Sequence, residues 1–212
     1  MKQVLTLFLV ALLVVPVFGK VLVNKTAGTV EIFSDATAAW SNSEIGRELV
    51  QSDKIKTGAD GRTELGFSNG TKIWLRENSD CTLTTLEQLT DRGSLQSEFN
   101  VFSGKVRAKV KLPKNGSFNF KTPTSVCAVR GTDLALYVTP EGVTQLMVFE
   151  GAVENVNGIT GEITTTRSGE STTTNTTGTT EQRALTTEEK STAKENWNEP
   201  TKVTATAEPE KT

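Results

Sequence analysis

Residues 117–138 read SFNFKTPTSVCAVRGTDLALYV, a stretch that holds three short apolar alternations. Phe118 and Phe120 make the first, Val126 and Ala128 the second, and Leu134, Leu136 and Val138 the third. A period of two sends alternate side chains to one face, so each run reads as a strand with one side buried. Pro123 has no backbone N–H and belongs at a bend between the first two runs, outside any ladder. Gly131 predicts a bulge or a close backbone approach ahead of the third run. Nothing in the stretch reads as catalytic, and its periodicity sets an all-β expectation for the chain.

The same pattern extends in both directions. Val30 and Ile32 alternate with Thr29 and Glu31, and Leu49 and Ile55 lie either side of a turn at Ser52-Asp53. Leu65 and Phe67 precede Ser68-Asn69-Gly70, and Ile73 and Leu75 follow it. Asn-Gly between two alternating runs is the strongest local hairpin signal in the chain. Asn115-Gly116 gives a second such signal, Ser103-Gly104 ends another run, and Pro140-Glu141-Gly142 marks a turn. Trp40 stands in a small, polar excursion and reads first as an anchor to the body, with a binding contact as the alternative. The spacing predicts one all-β domain over residues 20–172 with many short, mostly antiparallel strands. A twisted β-roll or solenoid-like stack fits best, and a β-sandwich is the alternative.

Residues 173–212 are Thr-rich and poor in large apolar side chains, which predicts a largely disordered low-complexity tail. A short helix at 187–197 is the exception, with Thr186 as N-cap and Glu189 completing a capping box. At the other end, residues 1–19 carry Lys2, an apolar run and a small-residue exit, the pattern of a secretory signal peptide, with an uncleaved N-terminal anchor as the alternative. No later segment has spanning length, so the mature chain is expected to be exported, periplasmic or secreted, without stable membrane insertion.

Composition excludes much chemistry. The chain has no histidine, which removes Ser-His-Asp and Cys-His nucleophiles, His-bearing zinc sites and imidazole acid–base work. The formal net charge is −2, a near-balance that gives no case for nucleic-acid binding. No cofactor or metal is called for. The two cysteines, Cys81 and Cys127, fit either a disulfide or two buried thiols. A disulfide would close a loop of roughly 45 residues and contribute about 4 kcal/mol.

Two charged sets are candidate sites. Lys105, Arg107, Lys109 and Lys111 alternate with Val106, Ala108, Val110 and Leu112. Such a row fits an anion- or glycan-binding face, or a solvated outer face on a protected edge strand. Asp53, Asp60, Glu64 and Asp133 are the carboxylates from which a polysaccharide-acting pair would be drawn, 5 to 9.5 Å apart in a cleft. Arg130 is expected to hold the fold together, paired with an acid such as Asp133.

In order along the chain stand Gly28-Thr29-Val30, Asp53-Lys54-Ile55-Lys56-Thr57, Asn69-Gly70-Thr71-Lys72-Ile73-Trp74-Leu75 and Phe102-Ser103-Gly104-Lys105-Val106. Phe120-Lys121-Thr122-Pro123-Thr124, Val129-Arg130-Gly131-Thr132-Asp133-Leu134, Val148-Phe149-Glu150-Gly151-Ala152-Val153 and Ser168-Gly169-Glu170 follow. Together they resemble the FecR-like periplasmic sensor domain family. That resemblance implies an all-β extracytoplasmic module with no catalytic residues or cofactor. Its best-known members carry a cytoplasmic anti-sigma segment and a transmembrane helix where this chain shows a signal peptide. The resulting expectation is a non-enzymatic sensing or interaction module of the bacterial envelope, binding an envelope protein or glycan. A polysaccharide-acting enzyme and a structural surface protein are the alternatives.

Overall fold

The computed structural model describes residues 20–89, 94–112, 116–195 and 197–198. The signal-peptide reading of residues 1–19 and the end of the tail lie outside them. The first eight strands are β1 (Val21–Ala27), β2 (Val30–Ser34), β3 (Ala39–Asn42), β4 (Glu48–Leu49), β5 (Lys54–Thr57), β6 (Arg62–Phe67), β7 (Lys72–Leu75) and β8 (Asp80–Leu89). The next five are β9 (Ser94–Lys109), β10 (Ser117–Lys121), β11 (Ser125–Val129), β12 (Asp133–Val138) and β13 (Thr144–Glu150). The series closes with β14 (Ala152–Asn157), β15 (Ile163–Arg167), β16 (Glu170–Thr174), β17 (Thr180–Ala184) and one helix, α1 (Thr187–Thr192).

The strands make one open sheet that folds over into two layers. Layer A runs β4-β1-β6-β7-β9-β12-β13-β16-β17, and layer B runs β3-β2-β5-β8-β9-β10-β11-β14-β15. Strand β9 belongs to both. Its residues 94–103 pair with β8 and lie parallel to β10, and its residues 104–109 pair with β7 and β12. Among the described residues only the β9–β10 pairing is parallel, so the expected roll of short, mostly antiparallel strands is what forms.

The chain passes between layers at Gly28, Gly104, Gly131, Gly151 and Gly169, each with positive φ. At Gly131 the conformation is what matters: φ is +65° and an added Cβ would meet nothing within 4 Å, so no close approach occurs there. At Gly104 both demands hold. With φ at +103°, an added Cβ would sit 2.3 Å from Ser79 Oγ and 2.4 Å from Ser79 Cα. The run expected to stop at Ser103-Gly104 continues through it, because glycine can take the bend without leaving the ladder.

Alternation delivers the core. Val21, Val23, Leu65, Ile73, Leu75, Val106, Leu134 and Leu136 point inward from layer A, and Ile32, Ile55, Leu83, Phe99, Phe118, Phe120 and Val129 from layer B. Phe118 packs against Phe120 at 5.0 Å between centroids and meets Phe67 edge-on at 5.5 Å, so the first run of the opening stretch lies at the centre. Cys81 and Cys127 are buried in the same cluster as free thiols, so the disulfide left open by the sequence is not formed. Cys127 Sγ donates to Asn155 Oδ1 at 3.4 Å. Burial pushes the Cys127 thiol up to about 12 and raises Cys81 well above the usual range, so neither is a nucleophile.

Toward the C-terminal end, threonine and asparagine replace the apolar side chains. Thr124 Oγ1 donates to Thr144 Oγ1 at 2.9 Å, Thr144 to Thr122 at 2.7 Å, and Asn155 Nδ2 to Thr174 Oγ1 at 3.3 Å. Buried hydroxyls and amides are tolerated because they bond each other. Regular structure thus continues past residue 172: the Thr-rich segment supplies the end of β16 and β17, where β-branching suits a strand.

The hairpin expected around Asn69-Gly70 is β6–β7. Asn115, of the second signal, lies outside the described residues, and the strands on either side of it, β9 and β10, pair with each other in parallel and not as a hairpin. The basic row is likewise not on an edge, since β7 and β12 flank it.

Candidate functional site

The outer face of layer A carries a cross-strand row in register: Glu64 on β6, Trp74 on β7, Arg107 on β9, Ala135 on β12 and Met147 on β13. Successive strands place these side chains on one face, with Lys72, Arg76, Lys105, Lys109 and Tyr137 in the neighbouring rows. The expected basic set therefore lies largely on this face, but three of its four charges are already answered. Arg107 Nε and Nη2 donate to Asp133 Oδ1 and Oδ2 at 3.1 and 3.0 Å, a fork-on-fork pair. Lys109 Nζ lies 3.7 Å from Asp133, and Lys105 Nζ lies 3.5 Å from Glu77. The Arg107 guanidinium also lies 5.9 Å from the Trp74 ring centroid and 5.5 Å from that of Phe149. Lys111 joins an open groove of about 380 Å³ with Lys109, Leu112, Gly131, Asp133 and Glu150.

Glu64 is nearly fully buried on this face. It accepts from Trp74 Nε1 at 3.0 Å and pairs with Lys72 at 3.1 Å and Lys25 at 3.6 Å. Burial raises its carboxyl, and hydrogen bonds from Lys72, Asn198 and Trp74 outweigh that and hold it below the ordinary carboxylate range. The other acids have equally local tasks. Asp53 accepts from Val50 N at 3.1 Å and Asp35 N at 3.3 Å, and Asp60 accepts from Thr29 N at 3.0 Å. All four carboxylates proposed from sequence for polysaccharide chemistry are thus engaged in holding backbone or countercharge. Asp133 is bound by Arg107 and Lys109, and Arg130 is exposed, which corrects the expectation that Arg130 would be its partner. Among the described residues no group of His, Cys, Asp and Glu is disposed to hold a metal ion.

What sequence reasoning missed is that the C-terminal segment lies on this face. Leu185 and Trp197 form a second apolar cluster with Ala135 and Met147, against which Trp74, Tyr137 and Phe149 pack. The helix begins where expected, with Thr186 Oγ1 accepting from Glu189 N at 3.2 Å and Glu189 Oε2 from Thr186 N at 2.8 Å. Glu189 also receives both ends of the Arg183 guanidinium at 2.7 Å and Gln145 Nε2 at 2.6 Å. The Arg183 bonds, followed by those from Thr186 and Gln145, outweigh partial burial and bring the Glu189 carboxyl down to about 2. Farther along, Arg76 Nη2 lies 3.4 Å from Glu195 and its guanidinium carbon 5.0 Å from the Trp197 centroid. Arg107 Nη1 donates to Thr192 O at 3.4 Å, and Arg62 Nε to Asn198 O at 2.9 Å. The Glu195-x-Trp197 pair in a polar tail was the available signal.

On layer B, among the described residues, β3 pairs only with β2 and lies at the edge. Trp40, on β3, is 41% exposed, tilts against Phe33 at 5.5 Å and lies beneath Lys56 at 5.3 Å. It belongs to a strand and to the outer surface, so the first expectation, an anchor into the core, is corrected.

Comparison with known proteins gives a family match over part of the chain. Residues 53–154 match the family described as FecR protein. Two crystal structures, at 1.65 and 2.50 Å resolution, of a protein from Parabacteroides distasonis described as a "putative anti-sigma factor" superpose with a TM-score of 0.52 at 17% identity. Each match covers 62% of this chain and 59% of that one, and it establishes likeness of fold. No curated protein matches. Among the described residues no helix is long and apolar enough to cross a membrane.

Proposed function

With a FecR domain over residues 53–154 as premise, we propose that this chain is a non-enzymatic sensing or interaction module of the bacterial envelope. The family match is the observation that carries the reading. The assignment of each candidate carboxylate to a structural task supports it over polysaccharide hydrolysis, which needs two carboxyls free to face a substrate. Export rests on the signal-like residues 1–19. The module would meet an envelope protein or glycan and take part in signalling.

The test is fractionation of cells expressing the tagged full chain, followed by amine crosslinking in the envelope fraction. The expected result is a mature N-terminus near Lys20 outside the cytoplasm and a reproducible crosslinked partner. An unprocessed chain retained in the cytoplasm, or turnover of envelope glycan by the purified protein, would overturn the reading.

A further inference from the structure

The outer face of layer A carries an excess of cations, with rings beside them, and the segment lying on it carries three glutamates against two lysines, with one ring. Arg62, Arg76 and Arg107 belong to the face, with Trp74 and Tyr137 beside them. Glu189, Glu195 and Trp197 belong to the segment. This charge complementarity is specific in its geometry: the Arg76 side chain is 97% removed from solvent between Glu195 and the Trp197 ring.

The segment is held as a ligand is held, and is not merged with the core. Its apolar anchors, Leu185 and Trp197, form a cluster distinct from the one between the layers. Helix α1 has six residues, of which only Thr192 is buried. A helix of that length has little stability of its own, so its order derives from the face it lies on. Two of its polar attachments, Arg76–Glu195 and Arg183–Glu189, each have one partner nearly half exposed to water. Such contacts break at small cost.

We propose that this face is a docking surface for an acidic, tryptophan-bearing peptide segment and that residues 185–198 are its resident, displaceable occupant. A partner would engage the face by supplying a segment of the same chemistry once the resident one lifts. The proposal rests on the interaction-module reading and names the surface it uses.

The probe is a fluorescein-labelled peptide of residues 185–198, titrated by polarisation against three full-length chains: wild type, Trp197→Ala, and Trp197→Ala combined with Arg76→Ala. The resident segment competes with the peptide in the wild type. Trp197→Ala should therefore bind it at least tenfold more tightly, and adding Arg76→Ala should abolish the gain. A peptide carrying its own Trp197→Ala change should not bind. Equal binding by wild type and Trp197→Ala, with both retaining the same far-ultraviolet sheet signal, would overturn the proposal. Hydrogen exchange on the wild-type chain tests the same point without substitution. Amides of α1 should exchange at least a hundredfold faster than those of β12 and β13, and exchange at the rate of those strands would mean a permanent part of the fold. Neither result depends on export or on a cellular partner, so failure here leaves the functional reading standing.

Discussion

Arg107 on β9 and Asp133 on β12 meet through two parallel hydrogen bonds of 3.1 and 3.0 Å, with both side chains nearly removed from water. The pair ties neighbouring strands of layer A together immediately beneath the C-terminal segment. Removing one partner leaves the other desolvated, so Arg107→Met and Asp133→Leu should each lower stability by about 3 kcal/mol. The double replacement should lie closer to wild type than either single change. Urea unfolding of the three variants measures this, and additive losses would count against it.

Arg130, by contrast, is exposed. Arg130→Gln should change the unfolding free energy by no more than about 0.5 kcal/mol. A loss comparable to that of the Arg107 variant would show that the exposed guanidinium has a structural partner.

Glu189 gives the segment an acid response. Its folded value, about 2, lies below the ordinary 4.5, so its stabilising contribution is complete above about pH 4.5 and disappears as pH falls toward 2. Carbon-13 titration of the carboxyl should find a midpoint near 2, and the Thr186 amide resonance should move with it. Glu189→Gln should abolish that amide response while leaving the layer A strands unaltered.

The thiols should be silent until the protein unfolds. Both cysteines are buried and raised in pKa, so a thiol reagent at pH 8 should label neither in the native chain and both in denaturant without reductant. Absence of labelling in denaturant would mean a disulfide.

Phe118→Ala and Gly104→Ala probe the two features on which the roll depends. The first opens a cavity among Phe67, Phe118 and Phe120 and should cost about 3–5 kcal/mol. The second forces a Cβ against Ser79 at a positive φ and should cost about 2–4 kcal/mol. Thermal or chemical unfolding measures both.

The local part of this architecture was legible in the sequence, and the non-local part was not. Leu65, Phe67, Ile73 and Leu75 around Asn69-Gly70 specify their hairpin because register and turn chemistry are encoded within a dozen residues. Thr186 and Glu189 specify a capping box for the same reason. The opening stretch gives its three strands, but not the buried face of the second, which is Cys127 and Val129 instead of Val126 and Ala128, nor that Gly131 carries the chain from one layer to the other. The basic row shows its alternation and hides its neighbours: Asp133 is 26 positions from Arg107, and no pattern in either segment points to the other. Trp197 reads as a lone aromatic in a polar tail, since its burial depends on a face assembled from β7, β12 and β13. The parallel pairing of β9 with β10 is equally invisible, because alternation specifies a buried face and leaves strand direction open.

Strand β9 serves both layers, and this has a thermodynamic consequence. A two-layer protein whose layers meet only through side chains can lose one as a separate foldon. Here the backbone ladder of each layer includes part of the same strand, so melting either one strips half of β9 of its partners. The roll from β5 to β13 should therefore unfold in a single cooperative step. Only the polar C-terminal turns, stabilised by hydroxyl contacts more than by apolar burial, are placed to come away first.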